Sequence, residues 1–128
     1  MEGDRGLGIG RRDERSPASA RFEELAAEAL DELPEWVRQR LDNVEVLVED
    51  LPPPGQPGLL GLYEGVPLTK RHRYTGVLPD RITLFRRTIE SQAAGDEELK
   101  RVVRHTVVHE IAHFFGISDD RLRELDRY

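Results

Sequence analysis

The apolar positions of the N-terminal third recur at helical spacing. They lie three or four residues apart after Arg21, at Phe22, Leu25, Ala26, Ala29, Leu30 and Leu33. This spacing is typical of an amphipathic helix with one face on a core. Pro34 suits the first turn of a second, short helix. That helix would carry Trp36, Val37 and Leu41, and we interpret the lone tryptophan as a core anchor.

Three later segments have the pattern of strands. Val44, Val46 and Val48 alternate with Glu45, Leu47 and Glu49, as in a strand with one buried face. Residues 59–63 are apolar and short enough for a second strand, and Gly61 within them allows the close approach of another backbone. Residues 81–89 alternate as a third strand. The proline-rich segment 51–58 suits neither helix nor ladder and predicts a surface loop.

The last third predicts a long helix that begins with Asp96 as its N-cap. One apolar stripe follows it, at Leu99, Val103, Val107, Ile111 and Phe114. Gly116 supplies the left-handed residue past its C-terminus. A short helical segment at residues 121–126 then covers the end of the core with Leu122 and Leu125. The order of helices, small sheet and helix predicts an α+β fold.

The length of 128 residues suits one domain. Residues 1–19 contain almost no large apolar side chains, so we expect a mobile N-terminal tail there. Residues 20–128 would form the folded domain. No apolar run approaches the roughly 20 residues that span a bilayer, so we expect no membrane segment. The absence of cysteine and of a secretory signal at the start predicts a cytoplasmic protein without thiolate ligands.

The predicted long helix also carries the motif His-Glu-x-x-His. At roughly 100° per residue, His109 and His113 lie one turn apart on the same face, with Glu110 at its edge. Two imidazoles on one helix are suited to bind one Zn²⁺, and a catalytic zinc then needs a third ligand and an open position for water. A carboxylate beside that water is suited to accept its proton, and Glu110 is our candidate for this base.

The third ligand is expected just after the helix. If the chain reverses at Gly116, Asp119 returns towards the two histidines, and it is our first candidate; Asp120 is the alternative. His105 also lies one turn before His109, but nothing else in the sequence selects it as a ligand. We therefore assign His105 a structural role or a role in supporting a ligand.

The run HEIAHFFGISD resembles the small bacterial zincin-like metallopeptidases, sometimes described as minimal zincins with a matrix-metalloprotease-like domain. The stretches LPPP, LLGLYEGVPLT and LPDRITLFRR are similar to that family too, so the resemblance covers roughly residues 20–126. It implies a compact zincin-like α+β domain, zinc held by His109, His113 and Asp119, and Glu110 as general base. Two features differ from the larger metzincins: an aspartate replaces their third histidine, and no Met-turn is possible because Met1 is the only methionine.

The motif and the resemblance together predict a zinc metallopeptidase that acts on a peptide or protein substrate. By analogy with larger zincins, the strand near residues 81–88 would be an exposed edge on which a peptide pairs. A metal-stabilised binding module with little turnover and a metal-dependent nuclease are the alternatives. The net charge of −6 argues against a nucleic-acid partner, and the basic run 70–73 is interpreted as a solvated loop. The sequence does not determine the oligomeric state.

Overall fold

Helices and strands follow one another in the order expected of an α+β protein. The computed structural model describes residues 9–11, 16–70 and 79–125. The strands are β1 (Ile9–Arg11), β2 (Val44–Glu49), β3 (Gly61–Glu64) and β4 (Asp80–Phe85). The helices are α1 (Pro17–Asp31), α2 (Glu35–Arg38), α3 (Arg86–Glu90), α4 (Asp96–Phe114) and α5 (Asp119–Leu125), with 3₁₀ turns at Gln39–Leu41 and Leu68–Lys70. The predicted fold class is confirmed.

The sheet has four strands in the order β1-β2-β4-β3. Strands β1, β2 and β4 are parallel, whereas β3 runs antiparallel to β4. Ile82 of β4 therefore has Val46 on one side and Tyr63 on the other. The prediction that this strand forms an exposed edge is wrong, because β4 is an interior strand. Its nearly continuous burial from Ile82 to Phe85 is the pattern of a strand with neighbours on both sides.

The core lies between the sheet and the two long helices. Side chains from α1 and α4 pack against alternate residues of β2 and β4, and all of them are at most 7% exposed: Phe22, Leu25, Ala26, Ala29, Val46, Val48, Ile82, Leu84, Val103, Val107 and Ile111. The apolar stripes predicted for both helices are confirmed. Helix α4 is thereby packed along most of its length, which gives the motif at its C-terminal end a rigid support.

The predicted third strand is too long, because it ends at Phe85 and α3 follows at once. The reason is Arg86, which is only 9% exposed. Its Nε donates to Asp50 at 3.1 Å, and its Nη1 donates to both oxygens of Glu90 at 3.1 Å. The pairing of Arg86 with Glu90 joins residues four apart, which favours a helical turn.

Two details of the predicted helices are also wrong. Trp36 is 62% exposed, with its ring centroid 5.8 Å from that of Phe115, and Val37 is buried in its place. Adjacent helical residues point about 100° apart, so the short α2 directs only one of the two inwards. The N-cap of α4 is Gly95, whose φ of 108° suits glycine. Asp96 is the first helical residue and pairs with Arg21 at 2.8 Å.

Parts of the expected mobile tail have regular structure. Helix α1 begins at Pro17, where the hydroxyl of Ser16 accepts from Ser19 N at 3.1 Å, and β1 pairs with β2. The rest of residues 1–15 and residues 71–78 of the basic loop lie outside the described residues, so the mobility, the domain boundary and the solvated loop stay predictions. No described helix has the length and hydropathy to cross a bilayer.

Candidate metal centre

Helix α4 brings the motif residues together at its C-terminal end. His109 and His113 lie at the margin of the core, with side chains 32% and 26% exposed. Their ring centroids are 4.8 Å apart and their planes are 79° to each other. Glu110 is 5% exposed, which is unusual for a carboxylate that pairs with no Arg or Lys among the described residues. The predicted placement of both histidines on one face is confirmed.

The turn after α4 reverses the chain. Gly116 has a φ of 93°, Gly116 N donates to His113 O, and Ile117 N donates to Ala112 O, each at 2.9 Å. These hydrogen bonds satisfy the last carbonyls of the helix and agree with the glycine stop expected from the sequence. A Cβ at position 116 would also collide with the side chain of Thr69. Sequence reasoning missed Thr69, because only the tertiary structure brings its 3₁₀ turn against Gly116.

The reversal places one aspartate against both histidines. Oδ1 of Asp119 lies 3.2 Å from Nε2 of His109 and 2.8 Å from Nε2 of His113. The hydrogen bond from His113 lowers the pKa of Asp119 below its ordinary value, against the opposing effect of burial. Asp120 points elsewhere and forms an ion pair with Arg123. Of the two adjacent aspartates, Asp119 is therefore the one in contact with the motif.

Glu110 meets the opposite side of the His113 ring. Its Oε1 lies 3.2 Å from Nδ1 of His113. In the tautomer with the proton on Nδ1, this nitrogen donates to the Glu110 carboxylate and Nε2 keeps a free lone pair. A hydrogen bond at Nδ1 orients the ring and favours Nε2 as the atom that binds a metal.

The donor set fits a small divalent cation. The ligand atoms of His109, Glu110 and His113 all lie within 4.8 Å of one another, and this is the sole group of this kind among the described residues. In a tetrahedral site with bonds of about 2.0–2.1 Å, neighbouring ligand atoms are about 3.3 Å apart. The distances of 2.8 and 3.2 Å from Asp119 to the two Nε2 atoms are close to that value. Imidazole and carboxylate ligands are those expected for zinc where cysteine is absent.

A cleft of 240 Å³ opens beside this group, between residues 58–61 and residues 105–110. His105 lines it, with its ring centroid 6.2 Å from that of His109, and it is not in the group suited to hold a metal. A Cβ at Gly61 would lie 2.9 Å from Thr106 Cγ2 and 3.2 Å from Glu110 Cγ. Glycine at this position therefore lets β3 approach the side chains of α4 closely, and the backbone oxygen of Thr83 in β4 lies 3.2 Å from the same point, which agrees with the close backbone approach predicted for Gly61. Sequence reasoning missed Leu59 and Leu60 as cleft residues because their pattern indicated only a strand.

Comparisons with known proteins agree with this geometry. Residues 41–128 match the model of a family described as zincin-like metallopeptidase, and this match includes every residue of the candidate metal centre. The fold is similar to that of a conserved hypothetical protein from Thermo thermophilus, with 28% sequence identity and a TM-score of 0.52. That similarity covers 82% of this chain and 96% of the other. No curated protein matches the chain.

Proposed function

The chain belongs to the zincin-like metallopeptidase family, and we propose that it is a zinc-dependent peptidase with Glu110 as general base. One observation carries the proposal. Asp119 contacts Nε2 of both histidines, whereas Glu110 contacts Nδ1, on the other side of the His113 ring. This arrangement would leave three ligands around one point, and the separation of at most 4.8 Å between the ligand atoms of His109, Glu110 and His113 keeps Glu110 near enough to that point to serve as the base.

His109, His113 and Asp119 would hold the metal in this proposal. The short distances from Oδ1 of Asp119 to both imidazoles support Asp119 as the third ligand. Asp120 is the weaker candidate, since its carboxylate pairs with Arg123. Zinc, when bound, supplies a water of lowered pKa and polarises the carbonyl of the substrate.

Glu110 accepts the proton in this mechanism and later returns it to the leaving amine. Its burial keeps the carboxylate in a fixed place at the wall of the cleft, because rigid α4 and the adjacent Gly61 restrict its position. The hydrogen bond from Nδ1 of His113 further orients it. The mechanism needs no covalent nucleophile from the chain.

We propose that the substrate is an extended segment of a peptide or protein. The strand on which the peptide would pair is β3, and not β4 as the sequence predicted. In the described part of the chain β3 pairs with β4 alone and borders the cleft beside His109. A peptide that adds to this edge would form main-chain hydrogen bonds and place one side chain in the cleft. The net charge of −6 favours a peptide over RNA as substrate.

The decisive test is hydrolysis by Glu110→Gln. Glutamine keeps the size of the side chain and an oxygen that accepts from Nδ1, but it is a poor proton acceptor. We expect zinc content and folding to stay near those of the parent, with hydrolysis of a proteome-derived peptide library lower by at least about 10²-fold. The matched control is Glu97→Gln, because Glu97 is exposed in the first turn of the same helix.

Three outcomes are informative. Equal cleavage by Glu110→Gln and the parent would remove Glu110 from the mechanism. Firm zinc binding without cleavage of any peptide by either protein would favour the metal-stabilised binding module. Cleavage of RNA by the zinc-loaded parent, with no cleavage of peptides, would favour a nuclease.

A further inference from the structure

A second cavity, of 220 Å³, lies between α1, α2, the sheet and α4. Val46, Ile82 and Ile111 line it, and these side chains belong to the buried core, each at most 6% exposed. The cavity thus extends from the surface into apolar surroundings. Its lining contains none of the residues of the candidate metal centre.

The same cavity is bordered by two exposed side chains of opposite charge. Asp31 is the last residue of α1, and Arg38 is the last residue of α2. Arg38 donates through Nη2 to Glu35 at 2.9 Å, which leaves other N–H groups of its guanidinium for a ligand. The Asp31 carboxylate has no hydrogen bond or ion pair within the described ranges.

We propose that this cavity binds a free amino acid with a large aliphatic or aromatic side chain. The side chain would enter the apolar interior, the α-carboxylate would pair with Arg38, and the α-ammonium would pair with Asp31. An apolar cavity of about 150 Å³ is enough to hold benzene, so 220 Å³ accommodates an isobutyl or benzyl group. A ligand with only one charge would complete only one of the two pairs.

The cavity size and the charges make separate contributions to this binding. Apolar burial contributes about 0.8 kcal/mol for each methylene, which corresponds to about fourfold in affinity, so leucine should bind at least about tenfold more tightly than alanine. The two charged pairs lie at an exposed rim, where each contributes little. We therefore expect leucinamide and 4-methylpentanoate each to bind about threefold to fivefold more weakly than leucine.

Titration of the methyl-labelled full chain with L-leucine, followed by NMR, tests the proposal. The protein is kept free of zinc, because an amino acid would otherwise chelate the metal. We expect the methyl resonances of Val46, Ile82 and Ile111 to shift, with those of Leu59 and Leu60 unchanged. Absence of shifts at the first three, or shifts confined to the two leucines, would overturn the assignment.

Charge variants separate the two predicted pairs. Arg38→Gln should remove the preference for leucine over leucinamide, and Asp31→Asn should remove the preference over 4-methylpentanoate. Arg40→Gln and Asp42→Asn are the matched controls, because both residues are exposed nearby and neither lines the cavity. Equal affinity of the parent for leucine and leucinamide would refute recognition of the α-carboxylate and with it the proposal. The outcome does not depend on peptidase activity.

Discussion

Two clusters of ionisable side chains differ in where their positive charge comes from. Around Arg86, the chain supplies the cation, and Asp50 and Glu90 both accept from it. At the metal centre, the carboxylates of Asp119 and Glu110 face imidazole nitrogens, and the described residues show no Arg or Lys paired with either. The cluster around Arg86 therefore contains both the cation and the carboxylates that pair with it. The second is suited to an added cation, because imidazole nitrogens and a carboxylate oxygen converge on one point.

The pKa values reflect this difference. Burial lowers the pKa of Arg86, but hydrogen bonds to Asp50 and Glu90 outweigh it and raise the pKa above the ordinary value. At the metal centre, the hydrogen bond from His113 lowers the pKa of Asp119 below its ordinary value. A charged cluster with its own arginine therefore stabilises the fold, whereas one composed of histidines and carboxylates is a candidate binding site.

The largest effect is expected from His113→Ala. Removal of one of two imidazoles should lower zinc affinity by more than about 10²-fold, because even residues that only support a ligand contribute 10- to 100-fold. Metal analysis after dialysis would measure the loss. His105→Ala is the matched control and should keep its zinc, since the His105 ring lies 6.2 Å from that of His109 and forms no hydrogen bond with the described residues of the metal centre. Full zinc stoichiometry in His113→Ala would refute the proposed ligand set.

A smaller effect separates the two adjacent aspartates. Asp119→Ala should weaken zinc binding by about 10²-fold, the upper end of the effect of residues that only support a ligand, because its Oδ1 contacts both histidines. Asp120→Ala should change it less than about threefold, because Asp120 only pairs with Arg123 at the surface. Calorimetric titration of both variants with zinc gives the comparison. Equal or reversed losses would move the third ligand to Asp120.

The smallest effect should come from the cluster that contains its own cation. Arg86→Met keeps most of the packing of the side-chain stem but removes the charge-assisted hydrogen bonds to Asp50 and Glu90. We expect the free energy of unfolding in urea to fall by about 1–2 kcal/mol, because both acids are partly exposed and regain water. Zinc affinity should be unchanged. The control is the exposed Arg87→Met, for which we expect the free energy of unfolding to change by less than about 0.5 kcal/mol. A loss of zinc affinity in Arg86→Met would show that the Arg86 cluster supports the metal centre.

Local sequence patterns predicted the structure correctly wherever a residue's role depends on its near neighbours in the chain. The spacing of His109 and His113, the apolar stripe of α4 and the stop at Gly116 all follow from helix geometry, and the structure has each of them. The same patterns gave wrong predictions where a side chain also contacts a segment that is distant in the sequence. Arg86 extends an alternating run in the sequence, yet it begins a helix in which its side chain pairs with the distant Asp50 as well as with Glu90 one turn later.

The sequence by itself determined the α+β class, the helix that carries the motif and the glycine turn after it, because helical periodicity and left-handed backbone are properties of short segments. Only the tertiary structure decided that β4 is interior and that β3 is an edge of the sheet formed by the described residues. It also decided that Trp36 is exposed, and that Asp119 meets the histidines while Asp120 pairs with Arg123. These features depend on which segments pack together across the fold. Such packing is set by the burial of the whole core, which no single stretch of residues specifies.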